Sequence, residues 1–123
     1  MSIAPEDLLT WADSLPSGSE VCCRAAVSRA YYAAYHDCVS FHDALPVPGI
    51  APPHGGVHEL LCGRLQNPAP ETKDPLRTRS RTRAQFLRAL KHMRTVADYY
   101  LQDNVDHAVV ANAISKARQI MQT

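Results

Sequence analysis

Residues 20–44, "EVCCRAAVSRAYYAAYHDCVSFHDA", decide the fold. Cys23, Val27, Tyr31, Ala34, Cys38, Phe41 and, just beyond, Leu45 recur at spacings that alternate between three and four. That is helical periodicity held for about six turns, whereas a strand would alternate every second residue. A helix is expected from about Glu20 to Ala44, with Ser17 or Ser19 placed to cap its start. The opposite side of this helix is not properly polar. With Arg29 at zero and ~100° per residue, His36 returns to almost the same angle, two turns or about 10 Å further along. Cys22, Ala25, Ala33 and Ser40 lie on or beside that line, and Tyr32 flanks it. Small residues let a neighbour approach closely, so this helix is either central in its bundle or half of a subunit interface.

The rest of the chain is helices separated by proline-marked breaks. "PEDLLTWADSL" forms a short first helix with Pro5 in its first turn, and Pro16, Ser17 and Gly18 end it. "PVPGIAPP", residues 46–53, is a rigid connection that cannot be helical. A short helix follows from about Val57 to Gln66, and "PAPETKDP" breaks the chain again. A fourth helix is expected from Leu76 or Arg79 to about Leu101, with Phe86, Leu90, Met93, Ala97, Tyr100 and Leu101 on one face. A last helix from about Val105 to Met121 carries Val109, Val110, Ala113, Ile114, Ala117 and Ile120. These elements predict an all-α, up-and-down bundle of four to five helices, one domain over residues 1–123.

Composition agrees with a globular domain. Hydrophobic residues make up 46% and charged residues 20% of 123, and the formal net charge is +1. No global field therefore marks a nucleic-acid or membrane binder, and any electropositive surface must be local. The N-terminus has no basic segment followed by an apolar run, and nothing approaches the ~20 apolar residues that span a bilayer. A cytoplasmic protein is expected. The four cysteines, Cys22, Cys23, Cys38 and Cys62, lack the spacing of a disulfide framework or a zinc knuckle and are expected as reduced thiols.

Arg29 and His36 raise the question of chemistry. A buried arginine costs several kcal/mol unless it is paired or left partly wet. An Arg–His line on a small-residue face makes sense where it opens into a cleft that admits a phosphate. Arginine holds the phosphate by charge-assisted hydrogen bonds, and histidine moves a proton near neutral pH. RNA cleavage by its own 2′-hydroxyl needs only a base, an acid and a cation, without metal. Tyr32, beside both residues, could support a base by stacking. The alternative is an ion pair between Arg29 and an acid such as Asp98, with His36 a satisfied core residue.

"RTRSRTR", residues 77–83, is the densest basic patch. In an extended segment Arg77, Arg79, Arg81 and Arg83 would project to one side and suit a phosphate backbone; in a helix they would spread around it. His54, His58 and Cys62 are spaced by fours, as metal ligands could be, but Gly55 and Gly56 take His54 out of the helix and Glu59 points elsewhere. No metal or cofactor is expected. His58 is better placed as a supporting residue near the cleft.

"RAAVSRAYYAAYHD" resembles the signature helix of HEPN domains (higher eukaryotes and prokaryotes nucleotide-binding), in the branch with a Ser-Arg-Ala-Tyr-Tyr-Ala core. "GGVHELL" and "LKHMRTVADYYLQDNVDHAVVANAISKARQIM" resemble the same branch, so the likeness runs over roughly residues 7–121. It implies a four- or five-helix bundle that dimerises and places symmetric polar residues in a shared cleft. Many HEPN proteins are metal-independent RNases of toxin–antitoxin, CRISPR or phage-defence systems. Their motif is an arginine, a short spacer and a histidine, which Arg29 and His36 fit. In the better-known members that motif sits near the later long helix, where this chain has Arg94 followed by Asp98.

The resemblance thus implies an RNA-binding protein that acts as a metal-independent endoribonuclease, a toxin or defence component. Arg29 would bind the scissile phosphate, His36 would act as general acid or base, and Tyr32 would support the substrate. Arg77, Arg79, Arg81 and Arg83 would hold the flanking RNA, with His58, Arg94 and Asp98 in support. The implied partners are RNA, a second copy of the chain, and a cognate nucleotidyltransferase-type antitoxin or other defence protein. The other reading is a non-catalytic HEPN-like module that dimerises or docks on a nucleotidyltransferase or another effector.

Overall fold

The computed structural model describes residues 2–15 and 18–123. Among these residues five helices form an all-α bundle: α1 (Pro5–Ser14), α2 (Glu20–Asp43), α3 (Val57–Gln66), α4 (Leu76–Tyr99) and α5 (His107–Met121). None is long and apolar enough to cross a membrane. Pro16 and Ser17, expected at the end of the first helix, with Ser17 one of two caps for the second, lie outside the described residues.

Each start has a local cause. Asp7 accepts from the Ala4 amide at 2.8 Å, with Pro5 in the first turn of α1. Ser19 caps α2 by accepting from the Cys22 amide at 3.5 Å. Asp74 takes both the amide (3.0 Å) and the hydroxyl (2.6 Å) of Thr78, which starts α4 at Leu76 rather than Arg79. Those two hydrogen bonds hold the Asp74 carboxyl below its ordinary pKa. Asp106 accepts from the Val109 amide at 3.2 Å, so α5 begins at His107 and not at Val105.

Helix α2 is the axis of the bundle, packed against α1, α4 and α5, while α3 lies on α4. Cross-helix pairs give the directions. Arg24 meets the end of α4 and Asp37 meets Arg83 near its start, so α2 and α4 are antiparallel. Trp11 lies by Arg29, and Pro5 shares a groove with His36, so α1 also opposes α2. Glu20 accepts from the Val105 amide and Arg83 donates to the Thr123 carbonyl, so α5 runs along α2. Helices α1, α2, α4 and α5 thus alternate up and down, while α3 opposes α4 and so runs in the same direction as α2.

The expected stripe on α2 is the core: Cys23, Val27, Tyr31, Ala34 and Cys38 are buried. On α4, Leu90 and Ala97 are buried together with Ala84 and Leu87, but Tyr100 and Leu101 are exposed. They fall beyond the last turn, because α4 stops at Tyr99, where Arg24 gathers its terminal carbonyls. That guanidinium donates to the carbonyls of Val96 (3.2 Å), Ala97 (2.9 Å), Tyr100 (3.2 Å), Leu101 (3.3 Å) and Asp103. None of the four cysteines forms a disulfide, and three of them are buried. Burial pushes the Cys38 thiol up to about 11, against the pull of nearby Arg83.

The 46–53 connection is clasped to α3. Ile50 donates to the Asn67 carbonyl at 2.8 Å and Gly49 to His42 Nε2 at 3.0 Å. A β-carbon on Gly49 would collide with the Arg64 carbonyl, and one on Gly63 with the Pro52 ring. Only hydrogen fits at either place.

Arg83 is 4% exposed and bonds Asp37 at 2.8 Å and the Thr123 carbonyl at 2.9 Å, with its guanidinium 4.4 Å from the Phe41 ring centroid. Breaking a buried pair strands the remaining charge. Asp37→Ala is expected to lower the unfolding free energy by about 3 kcal/mol, and Asp37→Ala with Arg83→Met by distinctly less. Urea denaturation of the two variants checks this; equal losses would mean that the ion pair is not what Asp37 supplies.

Candidate functional site

The face of α2 left open by its neighbours is a strip between α1 and α4. Val21, Arg29, His36 and Ser40 are exposed on it, and Ala25, Ser28, Tyr32 and Val39 are half-buried. Ala33, placed by its sequence position beside the Arg29–His36 line, is fully buried, so the strip is narrower than the helical wheel suggests.

Arg29 and His36 both lean toward α1. The Arg29 guanidinium lies 5.4 Å from the Trp11 ring centroid. His36 lines a groove of about 350 Å³ with Ile3, Ala4, Pro5, Leu8 and Val39. Neither residue is in the core. The acid that could have paired with Arg29, Asp98, is engaged elsewhere: Arg94 Nη1 is 3.6 Å from it, and the Ser28 hydroxyl donates to it at 3.4 Å.

The α4 side of the strip is an aromatic shelf. Arg94 lies over Tyr31 (5.3 Å to the centroid), Tyr32 (5.9 Å) and Tyr99 (5.8 Å). Its Nε is buried with no hydrogen-bond partner among the described residues, so ring faces and Asp98 hold the guanidinium. Tyr31 is fully buried, and its hydroxyl meets His58 Nδ1 from α3 at 2.5 Å. The His58 ring stacks near Tyr35 at 4.6 Å, and Tyr35 lies 5.3 Å from His36. Tyr32 therefore stands between two environments, with Arg94 on one side and His36 at 6.4 Å on the other.

Burial, Arg94, Lys91 and His36, in that order, depress the His58 pKa. Burial pushes the Tyr31 and Tyr35 hydroxyls up. The pair is held in its neutral form, and a neutral His58 with its proton on Nε2 accepts from Tyr31. Protonation turns Nδ1 into a donor and removes that acceptor from a buried hydroxyl.

The four arginines of "RTRSRTR" sit on helix α4 and do not form one array. Arg77 donates to the carbonyls of Pro68, Ala69 and Thr72 and ties down the preceding loop. Arg79 donates to the Thr123 carbonyl at 3.0 Å and lies over Phe41. Arg83 is the buried partner of Asp37. Arg81 is exposed, and its Nε donates to the Gln66 carbonyl at 3.4 Å. The structure thus brings Arg29, Tyr32 and His36 to one strip, His58, Arg94 and Asp98 to its margin, and Arg77, Arg79 and Arg83 into structural contacts. Among the described residues no three His, Cys, Asp or Glu side chains converge as a metal cage would require. The Tyr31–His58 contact and the aromatic bed of Arg94 join residues from separate helices, and no local sequence signal announces them.

Comparison with family models, with curated proteins and with solved structures finds no match.

His58 has a folded pKa below its unfolded value, so its contribution to stability is complete above about pH 6.5. That contribution is lost as the pH falls from there toward the folded value. The urea midpoint of the wild type is expected to fall between pH 7 and pH 5, and that of His58→Gln to fall less. The slope does not vanish in the variant, because burial and Arg64 depress His42 as well. At pH 7, Tyr31→Phe is expected to cost about 1 kcal/mol, the usual worth of one buried hydrogen bond.

Proposed function

We propose that this chain is a HEPN-like RNA-binding protein that acts as a metal-independent endoribonuclease in a toxin or defence setting. The observation that carries this reading is the exposure of Arg29 and His36 together on the open strip of α2, with Tyr32 beside them. A core role for His36 and an ion pair for Arg29 were the structural alternatives, and among the described residues His36 is exposed and Arg29 faces the Trp11 ring without an acid. In the proposed reaction the RNA 2′-hydroxyl gives its proton to a neutral His36 and attacks the adjacent phosphorus. The O2′–P bond forms, the P–O5′ bond breaks, and a 2′,3′-cyclic phosphate results. A second, protonated His36 gives its proton to the departing 5′-oxygen, which is why a homodimer through this strip belongs to the reading. Arg29 neutralises charge that builds on the phosphate, and Tyr32 offers a ring to a flanking base. An antitoxin of the nucleotidyltransferase type would act by covering this strip.

A non-catalytic module is favoured by a different observation. Arg94, at the position where better-known members carry their catalytic arginine, is held by Asp98 and three tyrosine rings. Small residues on the strip would then serve close docking on a partner, with a nucleotide bound at most.

The two readings separate in one assay. Cleavage of a mixed RNA pool in EDTA is expected from the wild type, and His36→Ala and Arg29→Ala are each expected to lower the rate by about 100-fold or more. Both side chains are exposed, so the variants should keep wild-type stability within roughly 0.5 kcal/mol. Intact RNA in every lane at high protein concentration, or equal cleavage by all three, sinks the nuclease reading.

A further inference from the structure

The groove between α3 and α4 carries a line of cations that the α2 strip does not use. Arg81 and Arg88 are seven residues apart, so they project from the same side of α4 with a separation of about 10 Å along its axis. Lys91 follows one turn later on the side nearer α3. Both arginines are exposed, and among the described residues neither pairs with a carboxylate. Two recesses meet along this line. One, of about 470 Å³, has Gln66, Thr78, Thr82 and Gln85 around Arg81 and Arg88. The other, of about 300 Å³, continues from Arg88 to Lys91, Cys62 and Asn67. Glu59 is the one carboxylate on either lining, and Lys91 holds it at 3.8 Å.

The lining is therefore cations interleaved with neutral hydroxyls and amides. Cations take phosphate oxygens without regard to sequence. Hydroxyls and amides can hydrogen-bond ribose 2′-hydroxyls, which single out RNA. The recesses have the volume of individual nucleotides, which suits the separate nucleotides of an extended single strand and is too small to seat a duplex. The line also has a direction: Lys91 meets Glu59, the neighbour of His58 on α3, and the His58 ring lies 4.6 Å from Tyr35, itself 5.3 Å from His36 on the α2 strip.

We propose that the α3–α4 groove is a track for the phosphodiester backbone of single-stranded RNA, with Arg81, Arg88 and Lys91 each engaging a phosphate. This rests on the RNA reading above and moves the backbone-holding role from the four arginines of "RTRSRTR" to a groove that contains, of those four, Arg81. Fluorescence anisotropy with a labelled 2′-O-methyl RNA 12-mer tests it, because that probe lacks the attacking hydroxyl and stays intact. Arg81→Gln/Arg88→Gln is expected to weaken binding on the order of tenfold. The slope of log affinity on log salt should become shallower by about 1.4, at ~0.7 for each single-strand phosphate that the protein no longer neutralises. Arg118→Gln, which removes a surface charge on the α1–α5 side where it bonds Asp13 at 2.7 Å, is the control and should leave affinity unchanged. Equal weakening by Arg118→Gln, or no weakening by the double variant, overturns the groove. Groove-dependent binding without cleavage of ordinary RNA sustains the groove and overturns the nuclease reading. Cleavage with groove-independent binding does the reverse.

Discussion

One guanidinium sets how the two long helices meet. Arg24, near the start of α2, donates to carbonyls at the end of α4 and in the turn that follows, while Glu20 one turn earlier takes the Val105 amide. A helix C-terminus leaves its last carbonyls without partners, and a cation is well suited to that negative end. With this end fixed, the antiparallel register of α2 and α4 follows. Ser28 then falls opposite Asp98, Tyr31 and Tyr32 fall under Arg94, and Asp37 falls opposite Arg83. The candidate site is a consequence of this register. A shift of one turn would take Arg94 off its aromatic bed and leave Arg83 buried without an acid.

The same register sorts the arginines by role. Those whose side chains point along α2 are consumed by structure: Arg24 on carbonyls, Arg83 on Asp37, Arg94 on Asp98 and three rings. Those that escape this work are Arg29, on the uncovered face of α2, and Arg81 and Arg88, on the side of α4 toward α3. A chain of net charge +1 can therefore present locally electropositive surface, because acids such as Asp37 and Asp98 are spent on the buried guanidiniums of Arg83 and Arg94.

The five helices were legible because their apolar positions recur at three and four, and because prolines and capping residues punctuate them. The core stripe of α2 was readable for the same reason. What periodicity could not supply was partnership. Arg24 sits among alanines and cysteines with nothing nearby to indicate five carbonyl acceptors. Tyr31 finds His58 across a proline-rich connection, and a one-dimensional pattern carries no signal for that meeting. Arg83 looked like one of four equivalent basic residues, yet helix α4 turns it inward and leaves Arg81 outside. Exposure of Arg29 and His36 was likewise open, since both faces of α2 are rich in small and apolar residues and only the placement of α1 decides between cleft and core.

The clasp between the proline-rich connection and α3 bears on the order in which the chain acquires its shape. Gly49 against Arg64, Gly63 against Pro52 and Ile50 against Asn67 join positions close together in sequence. The Arg24 bonds that fix α2 on α4 close loops of up to 79 residues. Closing a short loop forfeits less chain entropy than closing a long one, and contacts of low sequence separation form fastest. The clasp can thus assemble while the long helices are still searching for one another. His58 sits on that locally closed segment, so its contact with Tyr31 joins a unit of short-range contacts to the long-range packing around α2.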